Sequence, residues 1–153
     1  MNVDRIIFLD KRGNTRSAMA KALYEKMFPD SGIEAMARGL VVSFSEPLNQ
    51  KTEAVMAGNG LGTEGFHSEE LSDADITDGT LILAMNAKQR SDAIAWHDEA
   101  NESNTFVLSE FAGEELEIMD PYGGNLQVYG ICLEALGQTI EKLPDRIKEF
   151  ENE

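Results

Sequence analysis

The chain has 153 residues, of which 42% are apolar and 27% charged, and its formal net charge is −15 at pH 7. This length and composition predict a single globular domain over residues 1–153. The negative charge argues against a general role in binding nucleic acid or anionic membranes, because both repel an acidic surface. No apolar run approaches the ~20 residues of a membrane helix, and the N-terminus lacks the apolar core of a signal peptide, so a cytoplasmic location is expected.

The charge distribution and the cysteine content limit the kinds of binding site that the chain can form. Residues 1–26 contain six basic and three acidic residues, whereas the rest of the chain contains 7 basic and 25 acidic residues. A local basic loop in an acidic protein fits a site for one small anion. Cys132 is the only cysteine, so we expect neither a disulfide framework nor a thiolate metal cage. We predict no metal and no cofactor.

Apolar strands alternate with helical patterns along the chain. Ile6–Leu9 is a continuous apolar run, typical of a strand buried on both faces. Ser17 is a candidate cap for a helix that ends before Pro29. The remaining patterns predict, in chain order, a strand near residues 33–37, a helix over 48–58, a short helix over 68–76, a strand over 80–85, a helix over 87–97 and a strand over 105–108.

The C-terminal segment carries one continuous apolar stripe. Its apolar residues are spaced by three and four positions, which favours a helix packed on its own sheet over a coiled-coil seam. Pro144 lies within the stripe and should kink or divide the helix. The stripe consists of Leu126, Tyr129, Leu133, Leu136, Ile140, Leu143, Ile147 and Phe150. Together these elements predict a three-layer α/β/α fold with a four-stranded parallel sheet.

The segment between the first strand and the first helix is a candidate anion site. Parallel sheets bind ligands at the carboxyl ends of their strands, where loop N–H groups and a helix N-terminus attract anions. Gly13 and Asn14 tolerate the left-handed backbone that such a loop needs, and Arg16 suits a bidentate phosphate contact. An ordinary connection with exposed basic side chains is the alternative. The predicted phosphate-binding residues are Lys11, Arg12, Gly13, Asn14, Thr15, Arg16 and Ser17.

Two other phosphate-related motifs do not fit this segment. The chain has no GxxxxGK[ST] motif, which argues against a nucleotide P-loop. The haloacid-dehalogenase motif DxDGT has a second acid two residues after the first. Arg12 occupies that position after Asp10.

The segment resembles the signature of the low-molecular-weight protein tyrosine phosphatases, Cys-x-Gly-Asn-x-Cys-Arg-Ser. Without gaps, Asp10 takes the position of the nucleophilic cysteine, Arg16 that of the phosphate-clamping arginine and Ser17 that of the following serine. A one-residue gap would place Lys11 at the cysteine position instead. A second stretch, Asp120-Pro121-Tyr122-Gly123-Gly124, resembles the family's Asp-Pro-Tyr-Gly-Gly before the last helix, and Arg38-Gly39-Leu40 resembles its Ser-Ala-Gly segment.

The resemblance implies a fold, a mechanism and a ligand. In the family, a thiolate attacks phosphorus, and an aspartate first protonates the leaving group and then helps water hydrolyse the phosphocysteine. It therefore implies that Asp10, Arg16 and Asp120 occupy the catalytic positions and that Tyr122 forms a wall of the pocket. The implied partner is phosphate or a phosphotyrosine-like anion.

An aspartate at the nucleophile position departs from this mechanism. Asp10 could attack phosphorus, could fold into the loop and imitate a bound anion, or could have no ligand role. Carboxylate attack normally relies on a metal ion, so the last two roles are favoured. Cys132 belongs to the C-terminal stripe segment and is expected to pack in the core.

Three functions remain open for the chain. The leading hypothesis is a phosphate-binding member with impaired catalysis. The alternatives are a phosphomonoester or phosphotyrosine hydrolase that uses Asp10 or water with Asp120 as general acid, and a non-enzymatic interaction protein.

Overall fold

Four parallel strands form one sheet between two helical layers. The computed structural model describes residues 1–153. The strands are β1 (Arg5–Asp10), β2 (Glu34–Gly39), β3 (Thr80–Ala84) and β4 (Thr105–Val107), and their order in the sheet is β2-β1-β3-β4. The helices are α1 (Arg16–Met27), α2 (Gln50–Gly58), α3 (Ala87–Trp96), α4 (Leu108–Phe111), α5 (Leu126–Ile140) and α6 (Leu143–Glu151). The predicted α/β/α architecture is confirmed.

The central strands bury both of their faces. Successive side chains of a strand point to opposite faces, so Ile6 and Phe8 join one hydrophobic core while Ile7 and Leu9 join another. Helices α1, α2, α5 and α6 contribute to the larger core, and α3 contributes Ala93 to the smaller one. The continuous apolar run of β1 is therefore explained by burial on both sides.

The C-terminal stripe divides at the predicted place. Helix α5 ends at Ile140, and α6 begins at Leu143 with Pro144 in its first turn, where a missing N–H costs no hydrogen bond. Six of the stripe residues are buried, but Leu126 at the start of α5 is 51% exposed. The stripe begins one turn later than its sequence pattern indicates.

Two local predictions are wrong. Residues 68–76 contain only a 3₁₀ turn, Asp73–Asp75, because the Asp75 carboxylate accepts hydrogen bonds from the Ser72 N–H and the Arg38 guanidinium. The cap of α1 is Thr15 rather than Ser17, and its side chain makes no capping hydrogen bond. No helix combines the length and the apolar character needed to cross a membrane.

The carboxyl ends of the strands meet at one edge of the sheet. Asp10 is the last residue of β1 and pairs with Gly39, the last residue of β2. The Asp10 carbonyl accepts the Leu40 N–H at 3.0 Å, and the Lys11 carbonyl accepts the Val41 N–H at 2.9 Å. The segment after β2 is thereby fixed beside the segment after β1.

Candidate active site

The loop after β1 turns sharply at Gly13. Gly13 has a φ of +73°, a conformation that favours glycine, whereas Asn14 does not adopt it. A Cβ atom on Gly13 would lie 2.8 Å from the Gly39 nitrogen. Absence of a side chain therefore lets this loop approach the end of β2.

Asp10 lies at the floor of the loop, with its carboxylate turned into it. One carboxylate oxygen accepts the Gly13 N–H at 2.5 Å, and the other accepts the Ser17 N–H at 2.9 Å. The residue is only 4% exposed. Of the three roles left open for Asp10, this geometry corresponds to a carboxylate folded into the loop.

The charge of Asp10 is poorly solvated. Burial raises the pKa of the Asp10 carboxyl above its ordinary value, and the N–H groups of Ser17 and Gly13 and the Arg16 guanidinium offset this effect only in part. The Ser17 hydroxyl lies near enough to favour the charged form, yet it makes no hydrogen bond of normal geometry. The floor of the loop thus holds a carboxyl group that takes up a proton more readily than an exposed aspartate.

Several donors of the loop are free. The backbone N–H groups of Lys11, Arg12, Asn14 and Thr15 donate to no atom of the protein. The same four residues line a cavity of about 440 Å³ above Asp10. The loop therefore retains unsatisfied donors beside its own carboxylate, as an anion-binding loop requires.

Arg16 connects the loop to the segment before α5. It is 5% exposed; its Nη1 donates to the Ile118 carbonyl at 2.9 Å, and its Nη2 lies 3.8 Å from an Asp120 carboxylate oxygen. The predicted clamp thus borders the cavity, but it is oriented by Ile118.

Asp120 and Tyr122 lie at the mouth of the cavity. The Asp120 side chain is 62% exposed, and one of its oxygens accepts the Tyr122 N–H at 3.0 Å. The Tyr122 ring lies 5.6 Å from the Arg12 guanidinium carbon, within the range of a cation–π contact. The two predicted motifs, 110 residues apart, therefore meet at one cavity.

A second helix N-terminus borders the cavity, and no sequence motif indicates that it lies there. Asn49 caps α2 by accepting the N–H groups of Lys51 and Thr52, and its own N–H donates to the Asn14 carbonyl at 3.3 Å. The positive ends of the α1 and α2 dipoles thus lie at the same cavity. The residues contributed by this second segment are Glu46, Pro47, Leu48, Asn49 and Gln50.

Cys132, the only cysteine of the chain, does not line the cavity. Its side chain is fully buried, and its Sγ lies 3.5 Å from the Met119 carbonyl. Burial raises the pKa of this thiol to about 11, so a thiolate is disfavoured near neutral pH. Nor does the structure bring together three or more His, Cys, Asp or Glu side chains in a way that could hold a metal ion.

Comparisons with known proteins agree with this architecture. The family model of low molecular weight phosphotyrosine protein phosphatase matches residues 5–152. A protein-arginine-phosphatase of Geobacillus stearothermophilus is 29% identical over 147 residues, covering 94% of this chain and 96% of the relative. The low molecular weight protein-tyrosine-phosphatase PtpB of Staphylococcus epidermidis is also 29% identical, over 148 residues, with 94% and 96% coverage.

Solved structures give the same result. The low molecular weight protein tyrosine phosphatase of T. tengcongensis has a TM-score of 0.85 and 26% identity, covering 92% of this chain and 97% of that one. The YwlE arginine phosphatase of Geobacillus stearothermophilus has a TM-score of 0.85 and 27% identity, with 95% and 93% coverage. With its fold, its loop and its motif order in agreement, the chain belongs to the low molecular weight phosphotyrosine protein phosphatase family.

Proposed function

We propose that this protein binds phosphoryl groups in the cavity above Asp10 and hydrolyses them slowly or not at all. The observation that carries the proposal is the Asp10 carboxylate at the floor of the loop, where it accepts the Gly13 and Ser17 N–H groups. A carboxylate at this place is a weak nucleophile toward an anion, because the two charges repel each other.

Binding is supported by the groups that surround the carboxylate. Free N–H groups of the loop, two helix N-termini and the buried Arg16 all favour an anion. Lys11 and Arg12 are exposed at the same cavity and add positive charge. These groups offset the repulsion by Asp10 in binding, whereas none of them supplies a nucleophile.

Turnover of an aryl phosphate tests the catalytic part of the proposal. The purified protein, with and without Mg²⁺, should hydrolyse the substrate no faster than Asp10→Asn. Inorganic phosphate or vanadate should raise the melting temperature of the wild type. Hydrolysis that disappears in Asp10→Asn would instead identify an aspartate-dependent phosphatase, and lack of protection by either anion would overturn phosphate binding.

A phosphorylated arginine is a second candidate ligand beside phosphotyrosine. Two of the thirteen residues that line the cavity are hydrophobic, and both Glu46 and Asp120 contribute carboxylates. The N–H groups of a phosphoguanidine can donate to such acceptors, whereas a phenyl ring cannot. Affinities for phosphoarginine and phosphotyrosine, measured side by side, decide between them: tighter binding of phosphotyrosine contradicts the arginine assignment.

A further inference from the structure

We propose that Asp10 makes this cavity selective for oxyanions that carry a proton, such as hydrogen phosphate or a singly protonated phosphomonoester, over fully ionised oxyanions such as sulfate. The inference rests on the proposed function, since it requires that the cavity binds phosphoryl groups. It assigns to Asp10 a role in ligand selection, which is separate from its failure as a nucleophile.

The selection arises from the hydrogen-bond chemistry of the carboxylate. Each Asp10 oxygen accepts one N–H of the loop and keeps a further lone pair, and the residue borders the cavity. A ligand oxygen that bears a proton can donate to that lone pair and form a short, charge-assisted hydrogen bond. A ligand oxygen without a proton would face the carboxylate as acceptor against acceptor and as like charge against like charge.

The hydrogen-bond donors of the cavity do not make this distinction. The Arg16 guanidinium is a donor, and so are the free N–H groups of Lys11, Arg12, Asn14 and Thr15. Donors of this kind bind the oxygens of phosphate and of sulfate alike. Since phosphate and sulfate are both tetrahedral, shape contributes little. Of the three carboxylates that line the cavity, Asp10 is buried at the floor of the loop, whereas Glu46 and Asp120 are exposed to solvent. The Asp10 carboxylate is therefore the group that separates the two anions.

The proton can come from the ligand or from Asp10. Inorganic phosphate keeps a proton throughout the neutral range, and a phosphomonoester, whose second pKa is about 6, is partly protonated there, whereas sulfate has no proton to give. Acidification protonates Asp10 itself and should admit sulfate. Arg16 favours the carboxylate form of Asp10. Lys11 and Arg12 add positive charge and Glu46 and Asp120 negative charge to the same cavity, whereas the buried Cys132 thiol, whose pKa is raised, is uncharged near neutral pH.

Titration calorimetry with inorganic phosphate and with sulfate tests the proposal on the full chain. Near neutral pH the wild type should bind phosphate at least about tenfold more tightly than sulfate, because like charges in contact are strongly unfavourable. In Asp10→Asn, which removes the charge at nearly constant shape, the two affinities should differ by less than about threefold. Glu134→Gln makes the same charge change on an exposed position of α5 and should keep the wild-type ratio.

A pH series on the wild type gives a test that needs no variant. Sulfate affinity should rise as the pH falls from neutral to mildly acidic, and the phosphate-to-sulfate ratio should shrink. Equal affinities in the wild type near neutral pH, or a ratio that persists in a folded Asp10→Asn, would overturn the selectivity. Failure of both anions to bind either protein at any pH would overturn the proposed function itself, so the two failures are distinguishable.

Discussion

Gly13 and Gly39 are in backbone contact at the carboxyl edge of the sheet. A Cβ atom on Gly39 would lie 2.5 Å from the Arg12 carbonyl carbon and 2.7 Å from the Gly13 nitrogen. Real side chains do not approach backbone atoms so closely, so a substitution must displace either the loop or the end of β2. The shape of the loop after β1 thus depends on a glycine that lies outside it.

Gly39→Ala should therefore destabilise the protein by about 1–3 kcal/mol, the usual cost of an overpacked interior. The displaced loop should also weaken phosphate binding. Urea denaturation of both proteins measures the first effect, and calorimetry the second.

Gly130→Ala is the matched control: its Cβ would meet no atom within 4 Å, and alanine in a helix interior should stabilise the protein by about 0.5–1 kcal/mol. A Gly39→Ala protein as stable as the wild type would contradict the close contact.

The sequence predicted those parts of the fold that depend on local patterns. β1 and β3 were identifiable because strands buried on both faces are apolar throughout, and the division of the last helix followed from Pro144. The short helix over 68–76 was predicted wrongly because Glu69 and Asp75 form ion pairs with Arg38, and the segment contains only a single 3₁₀ turn. Its polar pattern reflects long-range ion pairs, which no local pattern reveals.

The candidate site was predictable only in part, for a similar reason. The two motifs point to the residues of the loop and to Asp120 and Tyr122, and the structure brings them together at one cavity. The second helix N-terminus, with Asn49 as its cap, lies at this cavity because the chain crosses back after β2. Its proximity depends on tertiary packing, and its sequence alone resembles any capped helix.

Protonation of Asp10 should stabilise the fold as the pH falls. Its pKa is raised in the folded protein, so the native state binds more protons than the unfolded chain between the ordinary aspartate pKa of about 3.9 and the raised value. Within that window stability decreases as the pH rises, and above it the penalty of the buried charge is fully present. Each unit of difference between the two pKa values is worth about 1.4 kcal/mol.

The difference in unfolding free energy between wild type and Asp10→Asn isolates this effect, because other titrating groups are shared by both proteins. Denaturant titrations over the mildly acidic range should show the wild type gaining stability relative to Asp10→Asn as the pH decreases. A difference that is constant, or that grows in the opposite direction, would mean that the Asp10 pKa is not raised.

Arg16 should act as a brace as well as an anion ligand. Its Nη1 donates to the Ile118 carbonyl at 2.9 Å, while its Nη2 lies 3.8 Å from an Asp120 carboxylate oxygen. Lysine has one cationic nitrogen and cannot reproduce the planar fork, so Arg16→Lys should weaken phosphate binding at least about tenfold. It should also speed hydrogen exchange across residues 112–125.

Arg12→Lys is the control for the Arg16 substitution. Arg12 is exposed and contacts the Tyr122 ring, so lysine should keep most of its interaction and leave exchange in residues 112–125 unchanged. Equal exchange in the wild type and Arg16→Lys would show that the Ile118 contact does not hold this segment.

Replacement of Asp10 by cysteine should produce a phosphatase. A thiol at the floor of the loop would meet the Gly13 and Ser17 N–H groups and the Arg16 charge, all of which favour a thiolate. Asp120 is exposed at the mouth of the cavity, and we expect it to act as the general acid. Hydrolysis of an aryl phosphate by Asp10→Cys should exceed that of the wild type at least about 10²-fold.

In Asp10→Cys combined with Asp120→Asn, most of the gain should be lost, because general acid catalysis contributes about 10²–10⁴-fold. If Asp10→Cys is folded and binds vanadate yet remains inactive, then the loop, in which Arg12 and Gly13 depart from the family's glycine and asparagine, limits catalysis rather than the missing thiol.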